Sequence, residues 1–480
     1  MQNNIQKIVA RNIAFLVGAQ AITKGGIVIA ILLLTNYLGV DDFGRYNFLL
    51  AYAGLFTPLC DLGIDVFIVR HLAMYPDERG RVAGTALGVK LCLVFLCIAL
   101  ISISFYFVSG VPSLSFPLVL AAAVVTVRTI TGTFSGLFRA DQHLSLDSIS
   151  QIAAKVSDII AILVALFLKA DLILLLKILL ASAILQSGYS YYLAYRNSYM
   201  KSISFDFRIL GRLFKGAFPF ALTSISVMIY FQIDAVMLSM LVNEHETGIY
   251  RSATNIVFGI TAFSAAVVTA LFPMIAKEYK TDRQIAVRAT SNAMFYSLMF
   301  VMPIVVFTTG FAGPVIHLLY RDSFSEASSS LRILIWWLPV AAITNILGYV
   351  LGAIGLQRKV LLIAIINAAF NVIVNFYFIP HFGPVGASIT TVATELLGFV
   401  LLAFIVRKHF GQVYQPEKFL RVACASLFIL PLMFFTRQFN VVVLGFAGAL
   451  IYSIALFLLG AINTQDIRKL VHAVFISPNR

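Results

Sequence analysis

Charge is scarce in this sequence. Asp, Glu, Lys and Arg together make up 12% of its 480 residues, about half of what a soluble domain carries, while hydrophobic residues make up 60%. Mean hydropathy is +0.94. No water-soluble core needs that much apolar surface, so a soluble enzyme or binding module is excluded and a polytopic membrane protein is indicated. Cysteine is also rare. Cys60, Cys92, Cys97 and Cys424 all fall in apolar runs, without the spacing of a disulfide framework or a metal cluster, and read as small packing residues. No Gly-rich phosphate loop and no nucleophile–base pair stands out, so no catalytic residue, metal site or organic cofactor is expected. No gap between apolar runs would hold a soluble domain.

What the sequence does have is a succession of apolar runs of about 20 residues or more, each long enough to span some 30 Å of hydrocarbon. They run from 12–35 and 45–68 through 214–241 to 419–437 and 440–462. The expected fold is all-α, with about fourteen transmembrane helices. The stretch before the first run shows no cleavable signal pattern, so that helix is expected to be retained. Net charge is +14, a value that can signal nucleic acid. Its distribution points to topology instead: Lys and Arg favour the loops on the side of the N-terminus by roughly four to one. Both termini are therefore expected in the cytoplasm, with membrane lipids rather than nucleic acid as neighbours.

A weak repeat divides the chain. Thr35 to Tyr46 leaves the first helix and enters the second, and Leu241 to Tyr250 does the same between the seventh and eighth. Both are acidic turns that close on Gly-x-Tyr, at Gly44 and Tyr46 and at Gly248 and Tyr250. An even number of helices before each return gives two lobes of the same orientation, related by an axis along the membrane normal. The expected organisation is an N-lobe of six helices over 1–195, a cytoplasmic linker at 196–213 and a C-lobe of six helices over 214–406. Two further helices and a cytoplasmic tail fill 407–480, and the lobes face a central cavity.

Four stretches, "YLGVDDFGRYNF", "DLGIDVFIVRHLA", "YFQIDAVMLSMLVNEHETGIYRSA" and "NAAFNVIVNFYFIPHFGPVGASITT", carry a resemblance in the order and over the span of a known family. Asp61, Gly63, Arg70, Asp234, Gly248, Tyr250, Asn371, Asn375, Pro380, Gly383 and Gly386 fall at its matching positions. The chain resembles the polysaccharide-transporter branch of the multidrug/oligosaccharidyl-lipid/polysaccharide exporters, most closely the Wzx-type O-antigen flippases. The resemblance implies a carrier of a polyprenyl-diphosphate-linked oligosaccharide, working by alternating access in the bacterial or archaeal cytoplasmic membrane. It also implies work alongside the polysaccharide polymerase machinery. It leaves the glycan open.

A charge at membrane depth costs several kcal/mol unless paired or hydrated, which makes each one a candidate. Lys24 and Arg128 lie near the middle of their helices, where snorkelling is hardest, and are expected to hold the diphosphate or another anionic head group. Lys90 and Lys155 would line the approach, although they, like Lys177, lie near enough to helix ends to snorkel or to pair locally, and Lys155 has Asp158 as an i,i+3 neighbour. Asp234 and Glu395 are expected to couple transport to H+ or Na+ or to gate it, with Lys24 as the gate partner of Asp234, or else to be structurally paired. Asp61 and Asp65, i,i+4 on one helix, are either a structural carboxylate pair or part of the same device. Asn367, Asn371 and Asn375 share a helix face and read as interhelical glue. Two other functions compete. A multidrug antiporter would want an acidic, aromatic cavity, and a membrane enzyme of envelope polysaccharide assembly would want more than Arg321, Asp322 and Glu326 in the longest outer loop, about 311–330.

Overall fold

In hydrocarbon no water satisfies a free N–H or C=O, so apolar segments of this length have to close their hydrogen bonds internally as helices. The computed structural model describes residues 2–109, 114–199, 206–260, 279, 282–435 and 439–461, with side chains from Gly25 onward except those of 108, 109, 207 and 214–219. Its helices are α1 (Gln2–Leu55), α2 (Thr57–Asp61), α3 (Ile64–Met74), α4 (Arg79–Ser109), α5 (Ser115–Ala140), α6 (Leu144–Phe167), α7 (Leu172–Arg196) and α8 (Phe207–Leu241). They continue as α9 (Glu244–Ile260), α10 (Arg283–Leu319), α11 (Ala327–Leu334), α12 (Trp337–Ala353), α13 (Gln357–His409), α14 (Pro416–Leu427) and α15 (Val441–Leu458). Among the described residues eleven helical segments are long and apolar enough to cross a membrane. The chain is an all-α polytopic membrane protein.

Two of the longest helices are broken by glycines in non-helical conformations, α1 at Gly39 and α13 at Gly383. The second break is a reversal. Gly398 lies against the Asn367 amide, a pair that a straight helix would hold about 46 Å apart. With these breaks, and with α9 followed as far as Ile260, the helices agree with the fourteen crossings read from the sequence. Two segments differ in detail. The apolar run 45–68 is not one helix, because Phe56 and the left-handed pair Leu62 and Gly63 divide it into the end of α1, α2 and α3. The stretch 311–330 is more ordered than a loop, holding the end of α10, a 3-10 turn at Asp322–Phe324 and the start of α11.

By packing, the chain forms two compact units, Met1–Gly248 and Ile249–Arg480. The repeat divides the sequence at 196–213, but α8 joins the first unit because Ala235 and Val236 pack into one apolar cluster with Phe48, Leu49, Tyr52 and Phe105. Residues 200–205 of the linker and 462–480 of the tail lie outside the described residues. In the second unit, Met294, Ile346, Leu347, Val350, Val406 and Phe410 make a core of their own.

The two repeat turns meet inside the first unit, and their contact is reciprocal. A methyl group on Gly44 would overlap the Glu244 carbonyl oxygen, and one on Gly248 would overlap the Val40 carbonyl oxygen. Each glycine thus sits on the backbone of the residue four positions before the other. Such mutual packing is what a local twofold relation between two copies of one motif produces. Asp41 and His245, equivalent positions in the two turns, fall beside that axis and pair at 2.7 Å. The repeat inferred from sequence is therefore a physical clasp. Gly248→Val or Gly44→Val should destabilise the protein by about 1–3 kcal/mol through overpacking. Gly25→Ala, which meets open space, should leave the thermal unfolding midpoint in detergent unchanged or slightly raised.

Candidate functional site

The break between α2 and α3 positions a buried charge cluster. Leu62 (φ 48°) and Gly63 (φ 77°) are both left-handed, a conformation that costs a leucine energy and tends to gather at working sites. The break leaves Asp61 at the end of α2 and Asp65 in the first turn of α3, where the helix dipole favours a carboxylate. Lys90 of α4 reaches both, with Nζ 2.9 Å from Asp61 and 2.6 Å from Asp65, and donates its third N–H to the Thr129 carbonyl of α5 at 2.8 Å. All three ammonium donors are filled and the side chain has no exposed surface. Thr133 donates a further hydrogen bond to Asp65 at 3.2 Å. Space for that carboxylate exists only because residue 132 is glycine; a methyl there would occupy its oxygen's position.

The cluster answers one sequence expectation. Of snorkelling and local pairing, Lys90 takes the second: it is held between helices by two carboxylates. An ammonium so occupied can meet an incoming phosphate only if the cluster opens. Two carboxylates on one cation leave an excess negative charge that a proton or Na+ could neutralise.

A second cluster lies at mid-helix on three elements. Arg128 Nη2 of α5 pairs with Asp158 of α6 at 2.7 Å, and Gln186 Nε2 of α7 donates to the same Asp158 oxygen at 2.7 Å. Ser182 adds a donor at 3.3 Å. Asp158 thus pairs with Arg128, while Lys155 points to an exposed face and makes no ion pair among the described residues. Arg128 keeps 33% of its side chain exposed, and its Nε is buried without a hydrogen-bond partner, so the guanidinium is anchored by Asp158 with donors left over. That is the arrangement of a cation held ready for an anion, since further N–H groups of the fork remain for phosphate oxygens.

A third cluster was not singled out from sequence because its members are scattered over turns. Arg79 pairs with Asp141, lies 5.1 Å over the Tyr199 ring and shares a cavity with His143 and Asn197. Burial, reinforced by the Asp141 charge, pushes the Tyr199 phenol up to about 12 and keeps it a hydrogen-bond donor. Beside it Glu78 joins His71 at 2.7 Å and Arg212 of α8 at 3.3 Å. These bonds tie the ends of α3, α4 and α8 together.

The second unit carries its polarity differently. Glu395 on the returning half of α13 is buried, and its carboxylate accepts from Trp337 Nε1 at 3.0 Å and from Thr344 on α12. Asn371 and Asn375 are fully buried and bonded to each other at 3.1 Å. The Lys24 side chain lies outside the described residues. Asp234 is buried on α8. Among the described residues no group of three or more His, Cys, Asp or Glu could hold a metal ion.

Comparison with known proteins places the chain in a family. The model of the polysaccharide biosynthesis protein family matches residues 9–279, more than half of the chain. The chain belongs to that family. A MatE model also matches residues 219–377, in keeping with the wider exporter superfamily. This family member is 22% identical over 401 residues to the probable low-salt glycan biosynthesis flippase Agl15 of Haloferax volcanii, covering 83% of each chain. It is 23% identical to the membrane protein MJ1068 of Methanocaldococcus jannaschii, but there the match spans 57% of this chain and only 56% of that protein. Its fold is shared with the lipid II flippase MurJ in an inward closed conformation, at a TM-score of 0.77 and 15% identity over 95% of this chain and 100% of that one.

Lys90→Ala would strand two carboxylates at membrane depth and should cost about 3–5 kcal/mol. Combining Lys90→Met with Asp61→Asn and Asp65→Asn should recover most of that loss, measured by thermal unfolding of the detergent-solubilised protein. Equal destabilisation of the single and triple variants would show that the ion pairs do not hold the break together.

Proposed function

We propose that this chain is a flippase that moves a polyprenyl-diphosphate-linked oligosaccharide, an O-antigen or similar repeat unit, from the cytoplasmic to the outer leaflet by alternating access. The observation that carries the reading is the match to a glycan flippase along 83% of both chains. The geometry of Arg128 supports it. A diphosphate rejected by hydrocarbon needs a cation at depth, and Arg128 sits mid-helix, braced by Asp158, with a third of its side chain open. Lys24 is the second proposed ligand of the head group, and Lys155 is placed on the approach. Lys90 would join only when its carboxylates let go.

In this reading the membrane ion gradient acts through carboxylates on the helices. Asp61 and Asp65 hold one cation between them and would take up H+ or Na+ when that cation is drawn away. Asp234 and Glu395 are the proposed carriers or gates elsewhere, and the turn clasp at Gly44 and Gly248 is the proposed outer closure. The cytoplasmic membrane, termini inside the cell and contact with polymerase machinery belong to the same proposal. A multidrug antiporter is the second reading, favoured by the MatE match over 219–377. An accessible arginine at depth would repel the cationic drugs such antiporters carry.

A strain lacking the gene should accumulate lipid-linked oligosaccharide on the cytoplasmic face, and the wild-type gene should clear it. Arg128→Ala and Lys24→Ala, inserted at normal levels, should clear it at least tenfold more slowly, a loss of about 1.4 kcal/mol or more. Arg128→Lys should fall between, since it keeps the charge and loses the fork. Normal clearance by both alanine variants would remove these cations from the head-group site. Drug efflux without lipid accumulation would favour the antiporter.

A further inference from the structure

The second unit contains a basic cavity that the transport reading does not use. It measures about 490 Å3 and is lined by Arg283, Gln284, Val287 and Arg288 of α10 and by Phe410 and Gly411, which follow α13. Its construction begins with a helix end. The last carbonyls of α13 carry the negative end of the helix dipole and would repel an anion. Arg283 cancels this by donating Nε to the Phe410 carbonyl at 2.8 Å and Nη2 to the His409 carbonyl at 3.0 Å. Lys359 closes the same end through His409 at 3.1 Å.

Arg283 is therefore fixed, and Arg288 is not. Its Nε makes a long bond of 3.4 Å to the Gln284 carbonyl one turn back, and it forms no ion pair among the described residues. Among the described residues no acidic side chain lines the cavity. Asp282, the acid nearest in sequence, uses its carboxylate to cap α10 through the Gln284 and Ile285 amides at 2.8 and 3.3 Å. Val287 and the fully buried Phe410 supply an apolar floor under the two guanidinium groups. The site stands where two apolar helices end, beside exposed Arg407 and Lys408. It thus combines a cationic rim, an apolar floor and a place at the membrane boundary.

We propose that this cavity binds the phosphodiester head group of an anionic phospholipid from the leaflet at that end, with Arg288 as the phosphate ligand and Arg283 as its positioning residue. Basic pockets between membrane helices are suited to such head groups, and a guanidinium fork matches phosphate oxygens. The apolar floor takes the glycerol and the first acyl carbons, which distinguishes a lipid from free phosphate. The inference does not rest on the transport reading.

Purified full-length protein in nanodiscs of equal size, made with phosphatidylcholine alone or with added phosphatidylglycerol, is examined by native mass spectrometry for retained lipid. The wild type should retain phosphatidylglycerol over phosphatidylcholine. Arg288→Gln should lower that retention about fivefold, the worth of one basic side chain at an anionic surface, and Arg288→Glu should abolish it. Lys408→Glu, a charge reversal at the same helix end but outside the cavity, should retain the lipid. Arg283→Ala is the weaker probe because it uncaps α13, so the Arg288 variants decide. Equal retention by wild type and Arg288→Glu, no preference for phosphatidylglycerol, or displacement of the lipid by inorganic phosphate would each overturn the proposal.

Discussion

Hydrocarbon tolerates no unpartnered charge, and the first unit of this protein is organised by that constraint. Lys90 is the clearest case. It has no exposed surface, yet all three of its donors are matched, two by carboxylates and one by a backbone carbonyl. The match is made across a broken helix, with Leu62 and Gly63 in left-handed conformations between Asp61 and Asp65. It also requires the missing side chain at Gly132. A backbone irregularity, a glycine and three charges are thus one structural unit, and substituting any of them exposes the others to an environment that rejects them.

The same constraint separates structural charges from available ones. Asp158 collects Arg128, Gln186 and Ser182 from two neighbouring helices, which leaves Arg128 oriented but partly open. Lys90 is closed. The two cations differ in what they can do: one can meet an anion as it stands, the other only after its carboxylates move. Glu395 also accepts hydrogen bonds from the neutral side chains of Trp337 and Thr344.

Much of this was legible in the sequence because it follows from periodicity and hydropathy. The helices, the Gly-x-Tyr repeat and the reversal near Gly383 all have local signatures. The reciprocal seating of Gly44 and Gly248 was foreshadowed by the repeat, although no sequence rule would have brought the two turns together. The partners of buried charges were not legible, since Lys90 and Asp65 are separated by 25 residues and Arg128 and Asp158 by 30. Local spacing suggested Lys155 for Asp158, and the tertiary fold chose Arg128 instead. The break at Leu62 escaped notice because leucine gives no warning of a left-handed conformation. The Arg79, Asp141 and Tyr199 cluster escaped because turns bring it together.

The central claim is that this fold carries an anionic lipid-linked glycan across a bilayer. Purified protein reconstituted into liposomes with a labelled polyprenyl-diphosphate oligosaccharide in the inner leaflet tests it directly, read by the appearance of glycan accessible to an external glycosidase. Transfer well above that of empty liposomes, slowed by Arg128→Ala, is the predicted result. Transfer no faster than in empty liposomes, under imposed proton and sodium gradients of either direction, would contradict the claim.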